Sequence, residues 1–519
     1  MVEVDVIIVG MGPTGATLAG LLGQRGVRVA VLDRLPDLFP LPRAAGLDHE
    51  VMRIMQELGI AERLASHIEP YRPSEYRGME GQLIQRLDST PPPFRLGWAP
   101  NYVFEQPAFE RAIRTRLAEL PNVQAECNAE VVAVGQEADH AWADVKLPGH
   151  DLIEHYVGRY LVACDGGSSP IRKQLGIKLE DLGFDEPWLV VDAIVSDQKL
   201  AELPQTQVQY CEAARPATYV VGVGKHRRWE VMLLPGDSLS AEFPSEELWP
   251  LLERWLKPGE GEIWRAAAYR FHGLVANEWR RDRILLAGDA VHMTPPFMAQ
   301  GMVQGLRDAL NLAWKLERVL TNTSSDQLLD SYQIERRPHV VATTGTAMQL
   351  GRLICERDPY RANERDARLL ACQGGKVTTR FRQDLIPGLR AGVIEVNSPG
   401  AGAILPQPQV QTANGLERLD DLTQCRFRVV ALGPLSQDER DVLVAALPEL
   451  EGRLVEIGHV DSRRDGSFQV VEFQPVLEPW LSELGQRFAV VRPDHYVHGT
   501  ATSVERTVDL LRSLEAQLA

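Results

Sequence analysis

The sequence predicts an α/β protein in which a parallel sheet is interleaved with an antiparallel sheet and followed by a smaller α/β unit. Three observations support this prediction. The chain opens on an apolar run that ends in a glycine-rich turn, residues 183–273 alternate apolar and polar side chains, and the tail from about residue 415 contains short apolar strands and a helix. The 519 residues are enough for two or three domains with substantial cores.

Composition and charge limit the classes of function. The hydrophobic content of 44% and charged content of 24% are typical of a soluble globular protein, and no apolar run has the length of a membrane span. The net charge of -16 argues against non-specific binding to nucleic acid or to an anionic membrane. Six scattered cysteines, without a CxxC motif or metal-ligand spacing, indicate free thiols, no metal site and a reducing, cytoplasmic location. Acidic Glu3 and Asp5 make the N-terminus typical of a first strand and not of a signal peptide.

The N-terminal segment has a dinucleotide-binding pattern. An apolar strand, Val4–Val9, ends in a GxGxxG turn, and a helix and a second strand follow. Gly10 permits the tight turn, Gly12 lets the backbone approach a pyrophosphate, and Gly15 lets helix and strand pack closely. Asp33 ends the second strand, where a carboxylate meets ribose hydroxyls. A glycine-rich turn without a ligand is the alternative.

A second candidate for ligand binding lies between residues 281 and 316. The apolar strand Ile284–Ala287 ends at Gly288-Asp289, and the stiff pair Pro295-Pro296 and the glycine Gly301 precede an apolar helix. Open α/β sheets bind ligands at the carboxyl ends of their strands, and a helix N-terminus favours an anionic group. On its own, the pattern is equally typical of an ordinary strand, loop and core helix.

The segments between these motifs add weaker signals. Arg43 precedes a helix over about 48–58, and Gln106 starts a helix over about 108–120. Asp165-Gly166 follows another buried strand, as a ligand-binding turn or a common turn would. Residues 183–273 predict an antiparallel sheet that forms a substrate lid. Within it, Lys225–Arg228 predicts a solvated hairpin turn, with recruitment of an acidic substrate or NAD(P)H as the alternative.

These motifs, in this order, resemble the single-component FAD-dependent aromatic hydroxylases, which are class A flavoprotein monooxygenases typified by p-hydroxybenzoate hydroxylase. Residues 183–192, 229–235 and 294–297 resemble the subgroup that hydroxylates 3-(3-hydroxyphenyl)propanoate. The resemblance covers residues 2–350 well and the tail more weakly, where larger members carry a thioredoxin-like domain.

The resemblance implies a domain organisation. A discontinuous, Rossmann-like FAD-binding domain would comprise residues 1–72, 98–182 and 274–370, and a substrate-binding sheet would comprise 73–97 and 183–273. A helix and linker would occupy 371–411. A thioredoxin-like domain without CxxC would occupy 412–519, in a structural or dimerising role, so a homodimer is one option.

The resemblance also assigns roles to motif residues. Gly10, Gly12 and Gly15 would hold the FAD pyrophosphate, and Asp33 the adenosine ribose. Gly301 and Met302 would donate backbone N–H groups to the pyrimidine edge of the flavin, although this chain has Val303 where many relatives have Asn. The other implied cofactor contacts are Arg43, Gln106, Asp165 and Asp289, and the remaining candidates are Pro13, Thr14, Arg34, Gly288 and Pro296.

The implied activity is that of an EC 1.14.13-type enzyme in aromatic degradation. It would use FAD, NADH or NADPH, and O2 to hydroxylate a small phenol similar to 3-(3-hydroxyphenyl)propanoate through a C4a-hydroperoxyflavin. No second strand–GxGxxG–helix unit is visible, so NAD(P)H is expected to bind transiently across the same cleft. A related hydroxylase acting on another phenol, a resorcinol or a polyketide ring is one alternative, and a non-oxygenating FAD electron-transfer or binding protein is another. A related halogenase would carry WxWxIP, which is absent.

No residue stands out as catalytic, since the chemistry would be centred on the flavin. The catalytic candidates are Pro295, Pro296, His49 and Tyr210. The candidates for contact with the substrate are Tyr219, Trp229, His226, Arg215 and Phe297, with Arg215 or Arg43 for a substrate carboxylate.

Overall fold

The computed structural model describes residues 1–147, 153–240, 243–412, 415–458, 461–464 and 467–519. Its first domain is built on a six-stranded sheet whose strands pair in parallel, apart from one edge hairpin. In sheet order the strands are Arg280–Arg281, Ile284–Leu286, Tyr160–Ala163, Val6–Val9, Val29–Leu32 and Val123–Glu126. The four central strands are apolar and fully buried, as a parallel sheet covered on both faces requires.

Helices and two small sheets enclose this parallel sheet. The helices are Pro13–Gln24, His49–Glu57, Gln106–Ala118, Pro170–Gln174, Gly301–Leu320 and Asp330–Ile354, and a further helix, Pro359–Cys372, packs against the strand Leu83–Asp88 of the second sheet. One small sheet contains Val2–Glu3, Ile153–Gly158, Ala141–Lys146 and Glu130–Gln136, and the other Gly46–Asp48, Asn101–Phe104 and Ile68–Pro70. No helix among the described residues is both long and apolar enough to span a bilayer.

A nine-stranded sheet forms the second layer and is predominantly antiparallel, as predicted. Its strands in order are His292–Met293, Gly261–Ala276, Leu179–Val195, His226–Met232, Ala217–Val221, Gln207–Tyr210, Ser74–Arg77, Leu83–Asp88 and Thr379–Phe381. Two pairings are parallel, between 207–210 and 74–77 and between 379–381 and 83–88, so the sheet is mixed. The helices Asp197–Glu202 and Ser245–Leu252 flank an apolar cluster on its outer face.

The tail has the predicted thioredoxin-like fold. Arg428–Leu432, the helix Gln437–Ala445 and Arg453–Ile457 form a parallel βαβ unit, and Phe488–Val491, Val497–Ala501 and the helix Val504–Leu518 follow as an antiparallel hairpin and helix. The rest of its sheet is Ser467–Glu472, Gln409–Thr412, Gly415–Arg418 and the short strand Asp461–Arg464, and the helices Leu419–Thr423 and Leu477–Glu483 complete the domain.

A buried ionic network joins this domain to the long helices of the first. Arg492 donates Nη1 and Nη2 to the two carboxylate oxygens of Glu335, at 2.7 and 2.8 Å. Lys315 Nζ donates to the same carboxylate at 2.7 Å, and Arg492 Nε donates to Asp494 at 3.0 Å. All four side chains are at most 1% exposed. Burial would raise the pKa of Glu335, but Arg492 and Lys315 hold it well below its usual range, so this carboxylate is ionised.

Replacing Glu335 by alanine leaves Lys315 without a carboxylate partner and Arg492 with Asp494 alone. We expect the free energy of unfolding to fall by about 3–5 kcal/mol, because a buried charge loses its counter-ion. Urea denaturation followed by circular dichroism measures this. Glu364→Ala, at an exposed position of the helix Pro359–Cys372, is the control and should change the value by no more than about 0.5 kcal/mol. A loss equal to that of the control would contradict the role of the network.

Candidate active site

Three turns that the sequence singled out meet at one edge of the parallel sheet. They follow the adjacent strands Val6–Val9, Tyr160–Ala163 and Ile284–Leu286, which run in the same direction. Their carboxyl ends therefore lie side by side and form the crevice expected of an open α/β sheet.

The three glycines of the GxGxxG turn have different surroundings. A Cβ on Gly10, whose φ is +100°, would lie 2.3 Å from the Cys164 carbonyl oxygen, and one on Gly15 would lie 1.9 Å from the Gly10 oxygen. Gly10 and Gly15 are therefore required by close packing of the backbone. A Cβ on Gly12 would meet nothing within 4 Å, although this residue immediately precedes the helix that starts at Pro13. Gly12 thus leaves open space beside free helical N–H groups, which suits a pyrophosphate.

Thr14 and Asp33 make contacts within the protein. A Cβ on Gly288 would lie 2.6 Å from Thr14 Oγ1, and one on Gly305 2.2 Å from it, so Thr14 packs between these two glycines. The Asp33 carboxylate accepts hydrogen bonds from the backbone N–H groups of Met11 (2.8 Å) and Leu35 (2.9 Å). Arg34 is exposed.

Gln106 positions the loop that carries Arg43. Gln106 Oε1 accepts from the backbone N–H groups of Arg43 (2.8 Å) and Ala44 (2.6 Å), and its Nε2 donates to Glu110 at 2.8 Å. From the nine-stranded sheet, Arg228 Nη1 donates to the Arg43 carbonyl oxygen at 2.9 Å, and Arg265 donates to the carbonyl of the preceding proline. The Arg43 side chain is exposed and its guanidinium lies over the Phe39 ring.

Two carboxylates at this edge have oxygens without partners. Asp165 Oδ2 accepts from the Ile171 N–H at 3.2 Å, whereas Asp165 Oδ1 is buried and accepts from no described residue. Asp289 remains accessible in the crevice and accepts no hydrogen bond from any described residue. Burial raises the pKa of Asp165, and the walls of the crevice raise that of the accessible Asp289 by partial desolvation, which His292 and Arg43 partly offset. Ligand hydroxyl groups are suitable donors to these oxygens.

Asp308 fixes the turn that presents Asp289. Its Oδ2 accepts from the Gly288 N–H at 3.1 Å and lies 2.8 Å from His292 Nε2, and its Oδ1 accepts from Arg336 Nε at 2.9 Å. All three side chains are fully buried. Burial alone would raise the pKa of Asp308, but His292 and Arg336 lower it.

Buried ion pairs and hydrogen bonds also hold the start of the helix Gly301–Leu320. Arg307 donates to Asp48 at 2.6 Å, to Glu50 at 2.8 and 2.9 Å and to Gln300 Oε1 at 2.7 Å. Gly301 has open space, since its Cβ would approach only the Thr294 oxygen, at 3.8 Å. The backbone N–H groups of the first turn, which includes Met302, are therefore presented at a fixed place.

A cluster of packed aromatic rings, named the aromatic chamber, follows Pro295 and Pro296. The Phe297 ring centroid lies 5.6 Å from that of Phe184, 5.7 Å from that of Trp188 and 6.0 Å from that of Phe271. Met232 and Met298 belong to the same apolar cluster. Of the five side chains predicted to contact the substrate, only Phe297 lies in this chamber.

The other four predicted contacts, and the catalytic candidate Tyr210, lie outside this cluster. Tyr210, Tyr219 and Trp229 belong to the cluster on the outer face of the nine-stranded sheet, where the Tyr219 hydroxyl donates to the Pro204 carbonyl at 3.1 Å. His226 is buried against Asp192, and Arg215 is paired with Asp237. The solvated turn predicted for Lys225–Arg228 is wrong for its last three residues, which are buried in the strand His226–Met232. Because the sheet is covered on both faces, buried and exposed residues do not alternate here, and the sequence pattern did not distinguish these strand residues from a turn.

His49 lies outside the aromatic chamber, on a neighbouring cavity of about 340 Å³ that Met298, Gln300 and Arg382 also line. Its Nδ1 is buried without a partner among the described residues, and burial lowers its pKa. Arg382 donates to the Met298 carbonyl at 2.9 Å.

The polar residues on the inner face of the nine-stranded sheet were not predicted from the sequence. Glu230 pairs across the strands with Thr218, Thr218 with Gln209, and Gln209 with Tyr76. Thr218 Oγ1 donates to Gln209 Oε1 at 2.6 Å, which places both on one face. Trp229 and Tyr219 point outward, so their neighbours Glu230 and Thr218 point inward, because successive side chains of a strand lie on opposite faces.

One set of metal-ligand side chains occurs among the described residues, namely Glu57, Cys425 and His495. His495 Nδ1 accepts from Arg428 Nη2 at 3.0 Å, since a guanidinium can only donate. The ring proton is therefore on Nε2, which is unfavourable for a metal ligand.

Comparison with known proteins identifies the family. Residues 3–347 match the family described as "FAD binding domain", and residues 402–517 match "HcaD C-terminal domain". The chain is 36% identical, over 99% of its length and 95% of the relative's, to a probable NADH-specific resorcinol 4-hydroxylase of Rhodococcus jostii (strain RHA1). It is 33% identical, over 96% and 94%, to 3-(3-hydroxy-phenyl)propionate/3-hydroxycinnamic acid hydroxylase 2 of Burkholderia vietnamiensis (strain G4 / LMG 22486).

Solved structures share the fold at lower identity. The flavin-dependent monooxygenase PieE, in complex with FAD and substrate, superposes with a TM-score of 0.79 at 19% identity, covering 100% of this chain and 99% of that one. Aklavinone-11 hydroxylase, with FAD and aklavinone, superposes with a TM-score of 0.78 at 20% identity, covering 99% of both chains. With the family match over residues 3–347 and full-length relatives above 30% identity, the chain belongs to the FAD-dependent aromatic hydroxylases, the single-component flavoprotein monooxygenases.

Proposed function

We propose that this enzyme hydroxylates a small phenol with a polar substituent in the meta position, using NADH and O2. Resorcinol and 3-(3-hydroxyphenyl)propionate, which the names of the two relatives specify, share that pattern. The observation that carries the proposal is that one segment serves both sites, since Gly288 packs against Thr14 in the crevice and Phe297 packs in the aromatic chamber. Overall, NADH supplies two electrons, one oxygen atom of O2 enters the ring and the other leaves as water.

The open crevice is the proposed FAD site. Gly12 and the helix that follows it would hold the pyrophosphate, Asp33 the adenosine ribose, and Asp289 the ribityl hydroxyls or pyrophosphate. Gly301 and Met302 would hold the pyrimidine edge with backbone N–H groups, where the dipole of a 20-residue helix favours negative charge. FAD, when bound and reduced, supplies the oxygen-transferring chemistry.

The residues of the chamber exclude water and orient the ring. Trp188, Phe271 and Phe297 form apolar walls, and Pro295 and Pro296 add a stiff segment without backbone donors. The inner-face row Thr218, Gln209 and Tyr76 offers hydroxyl and amide groups for the second polar substituent of the substrate. A hydroxyl in that position, as in resorcinol, needs no cationic partner.

We also propose a reducing cytoplasmic location, which the six free cysteines support. The domain limits given above and a homodimer remain predictions.

The activity is tested by NADH oxidation with a panel of phenols, followed by product mass spectrometry with 18O2. We expect resorcinol or 3-(3-hydroxyphenyl)propionate to stimulate NADH oxidation and to yield a product that carries one labelled oxygen. Para-substituted phenols are the matched controls and should stimulate less. NADH oxidation that yields only hydrogen peroxide with every phenol would contradict the proposal.

Gly12→Val separates cofactor binding from folding. The backbone of Gly12 is extended and its Cβ meets no atom, so the unfolding free energy of the apoprotein should change by less than about 0.5 kcal/mol. The valine would fill the space proposed for the pyrophosphate, so the purified protein should contain little FAD, as its absorbance reports. Gly345→Val, in equally open space on the helix Asp330–Ile354, is the control and should keep its FAD. A Gly12→Val protein with full FAD content would contradict the proposal that the pyrophosphate binds beside Gly12.

Asp289→Asn tests the crevice carboxylate. Loss of a charged acceptor should weaken FAD binding by about 1.5–3 kcal/mol, or roughly 10- to 150-fold in Kd. Titration of the apoprotein with FAD, followed by quenching of flavin fluorescence, measures this. Asp139→Asn, at an exposed site, is the control. An unchanged Kd would exclude Asp289 from the cofactor site.

A further inference from the structure

Glu230 is a carboxyl without a hydrogen-bond partner on the inner face of the nine-stranded sheet. The preceding residue, Trp229, packs outward against Tyr219, with ring centroids 5.6 Å apart, so Glu230 faces inward. It is only 7% exposed, yet neither of its carboxylate oxygens accepts a hydrogen bond from a described residue. The nearest cation is Arg228, with Nη1 4.0 Å away. A buried carboxyl without donors is costly unless a ligand supplies one.

The strand places Glu230 between the two segments that border the proposed flavin site. Arg228, two residues earlier, donates to the Arg43 carbonyl oxygen, and Met232, two residues later, packs in the same cluster as Phe297. Two residues of a strand span roughly 6.6 Å, so the Cα atoms of Arg228 and Met232 flank that of Glu230 at about this spacing on the same face of the sheet. Along the inner face of the strand, Glu230 therefore lies between the residue that holds the Arg43 loop and the residue that packs in the Phe297 cluster.

The surroundings of Glu230 suit a planar apolar ring. Val190 pairs with Glu230 across the strands, and Val220 pairs with Arg228. Both valines are buried, but neither belongs to any hydrophobic cluster of the described residues, in contrast to the outward-facing Leu189 and Val191. Apolar side chains that are shielded from solvent and lack an apolar cover form one side of a space that an aromatic ring could fill.

The charges around Glu230 leave it free to exchange a proton. Asp192 accepts from Arg228 Nε at 2.7 Å and Nη2 at 3.2 Å and lies 2.7 Å from His226 Nε2, so it neutralises the nearest cation. Arg265, on the next strand, lies 3.9 Å from Asp192 and donates to the Pro42 carbonyl. Burial raises the pKa of Glu230 to about 7, and Arg228 limits that rise while Asp192 adds to it. A base of that strength is matched to proton transfer near neutral pH.

We propose that Glu230 is the general base that accepts the proton of the substrate's phenolic hydroxyl. The inference rests on the proposed hydroxylase function. The phenol O–H bond breaks, its electron pair stays on the phenol oxygen, and the proton forms an O–H bond with a Glu230 carboxylate oxygen, so charge is conserved and no electrons change hands. The resulting phenolate carries more electron density at its ortho and para carbons, where the oxygen atom is transferred.

The first test measures binding of resorcinol to the oxidised holoenzyme without NADH, by perturbation of the flavin spectrum. Resorcinol stays un-ionised between about pH 5.5 and 8.5, since phenols titrate near pH 10. Glu230 accepts the phenol hydrogen bond best when ionised, so wild-type affinity should rise about tenfold as pH increases through the pKa of this carboxyl. Glu230→Gln should remove this rise. A wild-type affinity that is flat over the range overturns the proposal by itself.

The second test compares product formation. Glu230→Gln should lower the rate of resorcinol hydroxylation about 10²- to 10⁴-fold, the usual contribution of a general base, while the FAD content is unchanged. Glu230→Asp keeps a carboxylate and should retain the rise in affinity with only part of the rate loss. Glu262→Gln, the same change at an exposed position of the strand Gly261–Ala276, is the matched control and should behave as wild type.

The outcomes separate the two proposals. If the wild-type enzyme forms no oxygenated product from any phenol, the proposed function fails. If it forms product and Glu230→Gln does so at the same rate, or keeps the pH-dependent affinity, the assignment of Glu230 fails alone. If the Glu230→Gln variant loses its FAD, the test uses Glu230→Asp instead. If resorcinol affinity of Glu230→Asp does not rise with pH, the assignment of a carboxylate base at position 230 is contradicted.

Discussion

The Asp308 carboxylate is the interaction on which the geometry of the crevice depends. It is fully buried on the helix Gly301–Leu320 and binds the backbone N–H of Gly288, the His292 ring and the Arg336 guanidinium of the next long helix. A hydrogen bond to a backbone N–H fixes the turn itself, in a way that packing of side chains alone could not. Because Gly288 has a φ of +62° and Thr14 packs against it, the turn has no room for a different residue. The direction of the neighbouring Asp289 therefore follows from one buried anion that joins this turn, at Gly288 and His292, to the next long helix, at Arg336.

The parts of the fold that could be predicted from the sequence are those set by local chemistry. The GxGxxG turn, the strand that ends at Asp33 and the Gly288-Asp289 turn combine backbone requirements with apolar runs, and such patterns depend little on the rest of the chain. The short apolar runs of the tail predicted a small α/β unit, and the resemblance to the family implied its thioredoxin-like fold. Gly12 illustrates the limit of such reasoning. The motif indicates that it is needed, but only the structure distinguishes the open space beside it from the tight packing at Gly10 and Gly15.

The substrate side could not be predicted in the same way, and the reason is physical. The strand His226–Met232 is buried at every position, since helices cover its outer face and the first domain covers its inner face. Buried and exposed residues therefore do not alternate along this strand. The large aromatic side chains were candidates for substrate contact, although they are core residues. Tyr219 and Trp229 were predicted to contact the substrate but face outward, whereas their neighbours Thr218 and Glu230 face inward. The long-range ion pairs, such as that of Arg492 with Glu335, join residues 157 positions apart, and no local pattern indicates them.

The strand His226–Met232 carries both Arg228, which holds the Arg43 loop, and Glu230, the proposed base. The position of the cofactor loop and the chemistry of the substrate are therefore linked. Arg228 is neutralised by Asp192 and uses its remaining N–H groups on the Pro42 and Arg43 carbonyls, so the loop beside the flavin is anchored to the substrate sheet. A planar guanidinium can make these contacts simultaneously, whereas an ammonium group could not reproduce their geometry. Since Asp192 accepts two of the Arg228 hydrogen bonds, Glu230 is left with only a long ion pair to Arg228, at 4.0 Å, and its proton affinity stays near that needed for a phenol. If Asp192 were neutral, Arg228 would turn to Glu230 and lower its basicity, so the buried ion pair that holds the loop also preserves the base.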